Sequence, residues 1–129
     1  RERLSNESMQ DSIADNNQTI IAVGVPIHFY FKINTANLVD KTQLSNLKEI
    51  ANIAKEQNLI VHISAAADSY TGKAAYNKKL AAKRGNYIAK KLKEYGVSMD
   101  NMRGANLGGI STYAPAEANR TTIILLTTH

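Results

Sequence analysis

Three polar residues in one short stretch have the types and the spacing to bind a small zwitterion. Asp68 directly follows residues 59–67, an apolar run typical of a largely buried strand. After a turn at Gly72, a helical pattern begins in which Asn77 and Arg84 lie two turns apart within the apolar face. A carboxylate can bind an ammonium group, and a guanidinium can bind a carboxylate through two parallel hydrogen bonds. On adjacent elements, Asp68 and Arg84 suit a ligand that carries both groups.

The same two charges also have a purely structural interpretation. Asp68 and Arg84 could form a buried ion pair that only ties the helix to the strand. Such pairs are often neutral for stability, because the cost of desolvation offsets the Coulomb attraction. Buried charges mark functional sites only statistically, so the spacing alone favours neither interpretation.

The composition is that of one soluble globular domain. The chain has 129 residues, of which 43% are hydrophobic and none is cysteine, so disulfides and thiolate metal sites are excluded. No apolar stretch approaches the roughly 20 residues that a membrane-spanning helix needs. We expect residues 1–18, rich in Asn, Ser, Asp and Glu, to form a polar tail or linker, and residues 19–129 to form the domain. Because the chain begins with Arg1, we also expect it to be a processed or excised piece.

The positive charge is concentrated in the second predicted helix. Residues 69–93 contain eight Lys or Arg and no acid, within a net charge of +5. A solvated helix face explains most of them, and attraction to a polyanion such as nucleic acid or an acidic wall polymer is the alternative. Nucleic acid is disfavoured because aromatic residues are few and no known binding motif is present. Helical periodicity places four lysines on the side away from Asn77 and Arg84: Lys79, Lys83, Lys90 and Lys93.

Hydrophobic periodicity predicts the element order β-α-β-α-β-β. We therefore expect an α/β (α+β) two-layer sandwich with two main helices packed on a mixed sheet. Pro26 should bend the first strand, the first helix should begin near Asp40, and Gly96 should end the second. Expected strands cover residues 19–31, 59–67, 102–107 and 121–127, and expected helices residues 40–57 and 74–95. Residues expected on the buried helix faces include Leu47, Ile50, Ala51, Tyr76, Leu80, Ile88, Leu92 and Tyr95.

No pattern of residues supports catalysis. The three histidines, His28, His62 and His129, show neither metal-ligand spacing nor a partner for nucleophilic catalysis. No phosphate-binding glycine motif and no nucleophile elbow is present. We therefore expect no enzyme activity, no cofactor and no metal.

Together, several segments resemble a known family. The stretch from Asp68 through Gly72 and Asn77 to Arg84 resembles the hallmark T-D-x-x-G-x-x-x-x-N-x-x-L-S-x-x-R-A of the OmpA-like peptidoglycan-binding domain. The resemblance extends over residues 26–126. It includes Arg103 to Gly109 and Asn119-Arg120, which is similar to the start of the closing N-R-R-V motif. The chain departs from the pattern at Ala65-Ala66-Ala67 in place of G-H-T, at Ala81, Gly85 and Thr121, and by one extra residue before Gly72.

The resemblance implies a function and a site. In that family the aspartate and the arginine bind the diaminopimelate of the peptidoglycan stem peptide, and here these positions are Asp68 and Arg84, with Asn77 at the family's asparagine. It implies a domain on the periplasmic side of the outer membrane that tethers an outer-membrane or envelope protein to the cell wall. The outer-membrane link would lie in a missing N-terminal part. Because polar neighbours of Asp68 are lost, a protein-docking module with weakened wall binding is the alternative.

Overall fold

The computed structural model describes residues 19–129, and the expected tail at residues 1–18 lies outside the described residues. Four strands and two helices follow one another in the predicted order. The strands are β1 (Ala22–Tyr30), β2 (Ile60–Asp68), β3 (Met102–Ile110) and β4 (Thr121–Thr127). The helices are α1 (Gln43–Gln57) and α2 (Ala74–Glu94), and short 3₁₀ turns lie at Met99–Asn101 and Ala116–Asn119.

The four strands form one mixed sheet in the order β1-β4-β2-β3. β4 pairs antiparallel with β1 and with β2, whereas β2 and β3 are parallel and are joined through α2. Both helices contribute their buried faces to the same hydrophobic core as the sheet. The predicted two-layer α+β architecture is therefore confirmed.

Alternation along the strands decides which side chains enter that core. In β2, Val61 and Ile63 are buried against the helices, while His62 and Ser64 on the other face are only partly buried. The ring of His62 lies 2.8 Å from Thr127 Oγ1, and the ring of His28 lies 3.2 Å from Thr121 Oγ1. Both strand histidines are thus hydrogen-bonded to threonines of β4.

Two element boundaries differ from the sequence prediction. α1 begins at Gln43 instead of near Asp40, because the Asp40 carboxylate accepts hydrogen bonds from the amide and hydroxyl of Thr42 (2.9 and 2.6 Å) and holds a turn before the helix. β3 continues past residue 107, because a bulge lets the ladder resume at Gly108, whose φ is +65°.

Other local predictions have mixed outcomes. The expected bend in β1 is present as a register shift between Val23 and Ile27, and Gly96 ends α2 with a φ of +98°. The expectation that Tyr76 is buried is wrong, since 45% of this residue is exposed. Its neighbour Asn77 takes the inward position instead, and the ring of Tyr76 lies against the turn at Gly72. No helix within residues 19–129 is long and apolar enough to span a bilayer.

Candidate functional site

Three charged side chains meet at the end of the sheet where β2 finishes and β4 starts. Asp68 is the last residue of β2, Arg84 lies in the third turn of α2, and Arg120 directly precedes β4. The loop after β1, residues 31–38, passes over the same end and contributes backbone carbonyls. The sequence analysis placed Asp68 and Arg84 on adjacent elements, and both lie at this end of the sheet. It did not indicate that Arg120 belongs to the same group of charges.

The Asp68 carboxylate is buried and hydrogen-bonded on both oxygens. Its Oδ1 accepts from the amides of Tyr70 and Thr71 (3.1 and 2.9 Å) and from the hydroxyl of Thr71 (2.7 Å). Its Oδ2 accepts from Nε of Arg120 at 2.8 Å, which makes the ion pair. The turn after β2 and the start of β4 therefore both depend on this one side chain.

These contacts keep Asp68 ionised. Burial is the largest influence on its pKa and acts to raise it, but the hydrogen bonds from Arg120 and Thr71 and the charge of Arg120 outweigh burial. The pKa of Asp68 consequently lies below its ordinary value of 3.8. The carboxylate is therefore negatively charged at neutral pH.

The Arg84 guanidinium is fully buried and bonds to backbone carbonyls. Nε donates to Thr35 O (2.8 Å), one terminal nitrogen to Ala66 O (3.0 Å) and the other to Lys32 O (3.2 Å). It also lies over the ring of Phe31, 5.4 Å from the ring centre. Burial lowers the pKa of Arg84 to about 10, against the opposing influence of the Asp68 carboxylate, so the side chain stays charged at pH 7. Asp68 pairs with Arg120, and the ion pair considered between Asp68 and Arg84 is not formed.

Asn77 is buried in a gap between the turn and β3. Its Nδ2 lies 3.5 Å from Gly72 O, a long hydrogen bond. A Cβ on Gly72, which has a φ of +78°, would lie 2.9 Å from Asn77 Oδ1, and one on Gly109 would lie 2.9 Å from Asn77 Nδ2. The amide therefore fills the space that two glycines leave, and it packs behind the turn that holds Asp68.

This packing gives a testable expectation for Gly109. A methyl group in Gly109→Ala would press on Asn77 and on the backbone of Ser69, whose Cα would be 3.3 Å away. We expect the free energy of unfolding to fall by about 1–3 kcal/mol, the usual cost of overpacking. Gly104→Ala on the same strand is the control, since nothing lies within 4 Å of its Cβ position. Urea unfolding of both variants checks this, and equal stabilities would contradict the close packing of Asn77.

Arg120 is positioned by the residue before it. The buried side chain of Asn119 accepts from Tyr113 N (2.9 Å) and donates to the carbonyls of Tyr113 (2.9 Å) and Ala116 (3.1 Å). These bonds close the loop between β3 and β4, and the Arg120 carbonyl then accepts from the amide of Phe31 at 2.7 Å. The Asn119-Arg120 pair was the sequence feature that could have identified this third charge, since it already resembled a family motif.

A pocket of about 250 Å³ opens beside the buried charges. Thr35, whose carbonyl binds Arg84, forms part of its wall. All four lysines are exposed, as expected, and two of them, Lys79 and Lys83, also line this pocket. Its lining residues are Asn34, Thr35, Ala36, Tyr76, Lys79, Leu80 and Lys83. Within residues 19–129 no three His, Asp or Glu side chains are grouped so that they could hold a metal ion.

The chain is similar in sequence to an outer membrane protein. Outer membrane protein 40 of Porphyromonas gingivalis (strain ATCC BAA-308 / W83) is 40% identical over 84 residues, which cover 65% of this chain and 22% of that protein. The chain thus spans about a fifth of the length of this relative.

Two solved structures share the fold. The peptidoglycan-associated lipoprotein from Burkholderia pseudomallei superposes with a TM-score of 0.67 at 22% identity, over 77% of this chain and 88% of that one. The periplasmic domain of Helicobacter pylori MotB superposes with a TM-score of 0.64 at 16% identity, over 86% of this chain and 83% of that one. Residues 30–122 match the sequence profile of the OmpA family, and they include all three charged residues of the site. The chain belongs to the OmpA family.

Proposed function

We propose that this domain binds peptidoglycan non-covalently through the diaminopimelate of the stem peptide. The observation that carries the proposal is the pair of ionised side chains, Asp68 and Arg84, held at one end of the sheet at the positions that match the family motif. The ammonium of the ligand would bind Oδ2 of Asp68, and its carboxylate would bind Arg84. Asn77 supports the turn between them.

Donors remain on the guanidinium for this role. Arg84 uses three of its five N–H groups on the backbone carbonyls, which leaves two for a ligand. Because Arg84 is fully buried, the ligand would reach it by displacing the Lys32 carbonyl, which accepts from a terminal nitrogen of the guanidinium at 3.2 Å, while the turn at Thr35 stays in place. The pocket beside Thr35 provides the path of entry.

The proposed setting is the periplasmic side of the outer membrane. The relative is named as an outer membrane protein, and the chain corresponds to about a fifth of that protein. In this proposal the remainder of a longer protein lies in or at the outer membrane, and the domain tethers it to the wall. Binding requires no bond to be made or broken, so the domain acts without catalysis.

A protein-docking module is the second candidate, and one observation favours it. Asp68 accepts four hydrogen bonds and Arg84 donates three, all to groups of the protein itself. In this alternative the charges only hold the three loops in place, and a protein partner binds the surface that those loops form.

Sedimentation with purified insoluble peptidoglycan tests the proposal. We expect the domain to sediment with the wall and to be released by free diaminopimelate. Nα-acetyl-lysine amide is the matched control competitor, because it keeps the side-chain ammonium group but has no end that carries both an ammonium and a carboxylate. We also expect little change in binding between low and physiological salt, in contrast to the steep loss that phosphate-dominated binding shows.

Two outcomes would contradict wall binding. If the domain stays in the supernatant when peptidoglycan is sedimented, the result would favour the docking module. Tight, salt-sensitive binding to random DNA without any effect of diaminopimelate would favour the polyanion interpretation of the basic helix.

A further inference from the structure

The pocket beside Arg84 is formed by two separate segments of the chain. One side is the turn of Asn34, Thr35 and Ala36 after β1, and the other is the exposed flank of α2 with Lys79 and Lys83. Thr35 belongs to both the pocket and the charged site, because its carbonyl accepts from Nε of Arg84 at 2.8 Å. Thr35 alone would therefore separate a ligand group in the pocket from a group bound at Arg84.

The pocket is lined by two cations and no anion. Lys79 and Lys83 are the charged members of its lining, and within residues 19–129 neither forms an ion pair with a carboxylate. The acidic residue nearest to them along α2 is Glu94 at its far end, where it pairs with Lys91. The pocket is thus a positive concave surface that suits an anionic group.

The charges of the whole site indicate what that group is. Asp68 contributes −1 and Arg84 and Arg120 contribute +1 each, so the three residues sum to +1, and Lys79 and Lys83 raise the sum to +3. A zwitterion alone carries no net charge and leaves this surplus uncompensated. A ligand with one ammonium and more than one carboxylate matches the site better.

We propose that the pocket of Lys79 and Lys83 binds a second carboxylate, the free carboxyl terminus of the stem peptide. This inference rests on the proposed function, in which the diaminopimelate zwitterion occupies Asp68 and Arg84. An uncross-linked stem peptide ends in a carboxylate, whereas cross-linking through the last residue converts that group into an amide. The domain accordingly prefers uncross-linked stem peptides over those whose terminal carboxyl is blocked.

Calorimetric titration with two synthetic stem tetrapeptides tests this preference. Both peptides contain diaminopimelate, and one ends in a carboxylate and the other in a carboxamide. We expect the wild-type domain to bind the carboxamide about three- to tenfold more weakly, which lies within the range for two exposed ion pairs. The Lys79→Gln/Lys83→Gln variant should bind both peptides equally, at about the affinity of the wild type for the carboxamide.

The Lys90→Gln/Lys93→Gln variant is the matched control. It removes the same charge from the same helix at exposed positions outside the pocket, so it should keep the preference for the carboxylate. Equal affinity of the wild type for both peptides would overturn the inference and leave diaminopimelate binding intact. Loss of the preference in both double variants would overturn it too, because the overall positive charge of α2, and not the pocket, would then cause the preference for the carboxylate. Binding of neither peptide would overturn the proposed function and this inference with it.

Discussion

Replacing Arg84 with alanine is expected to lower the free energy of unfolding by about 2–5 kcal/mol, the range for truncating a large buried side chain to alanine. The side chain is fully buried and supplies hydrogen bonds to three backbone carbonyls in two separate segments. Alanine would leave those carbonyls without donors and a cavity above Phe31. Urea unfolding at neutral pH measures the change, and wall binding should be lost as well.

Arg103→Ala is the control for this prediction. Arg103 also donates to backbone carbonyls, those of Asp100 (2.7 Å) and Met102 (2.9 Å), but it is exposed and its partners are close in sequence. We expect its loss to change stability by no more than about 0.5 kcal/mol. If Arg84→Ala were as mild as Arg103→Ala, burial of the guanidinium would not stabilise the fold.

The second large effect is expected for Asp68→Asn, which keeps the shape of the side chain and removes its charge. The amide nitrogen would face Nε of Arg120, and no carboxylate would remain for the ligand ammonium. Hydrogen bonds to charged groups contribute about 1.5–3 kcal/mol, so diaminopimelate binding should weaken by about ten- to a hundredfold. Titration with the carboxylate-terminated tetrapeptide measures this loss.

The same variant should change how stability depends on pH. Because the pKa of Asp68 is lower in the folded state, its ionisation stabilises the fold fully above the unfolded value of 3.8. That contribution is lost as the pH falls through the folded pKa, so the wild type should lose this part of its stability in acid and Asp68→Asn should lack it. Urea unfolding from neutral pH to below 3.8 records the difference.

Asp40→Asn separates the site from a general effect of losing a carboxylate. Asp40 also accepts from an amide and a hydroxyl two residues on, and its pKa is likewise lowered by those hydrogen bonds. It is exposed and lies before α1, so its replacement should leave diaminopimelate binding unchanged. Wild-type affinity in Asp68→Asn, or an equal loss in Asp40→Asn, would contradict the assignment of Asp68.

The sequence predicted the fold better than the contacts within the site. Periodicity correctly indicated that Arg84 lies on the core side of α2 and that Asp68 ends β2, since both follow from local patterns. It could not show that Asp68 pairs with Arg120, which is 52 residues away in the chain. The order of strands in the sheet decides which distant residues meet, and local hydrophobic periodicity does not predict that order.

The basic face of α2 illustrates the same limit. A helical wheel places Lys79 and Lys83 away from the core, and both are indeed exposed. The wheel contains no information on the turn of residues 34–36, which approaches this flank from outside the helix and makes a pocket of it. Tyr76 was assigned to the core for a related reason, because periodicity alone cannot show which residues of the first helical turn the rest of the fold covers.

The central position of β4 determines when this domain can fold during its synthesis. β4 lies between β1 and β2 although it follows every other described strand in the chain, and in the described residues β1 has no other neighbour in the sheet. A growing chain can assemble β2, α2 and β3 as a local unit, while β1 waits unpaired until residues 121–127 are made. Arg120 reaches Asp68 only at that same late moment. Until β4 is made, the edge of the first strand therefore stays unpaired and open to wrong partners.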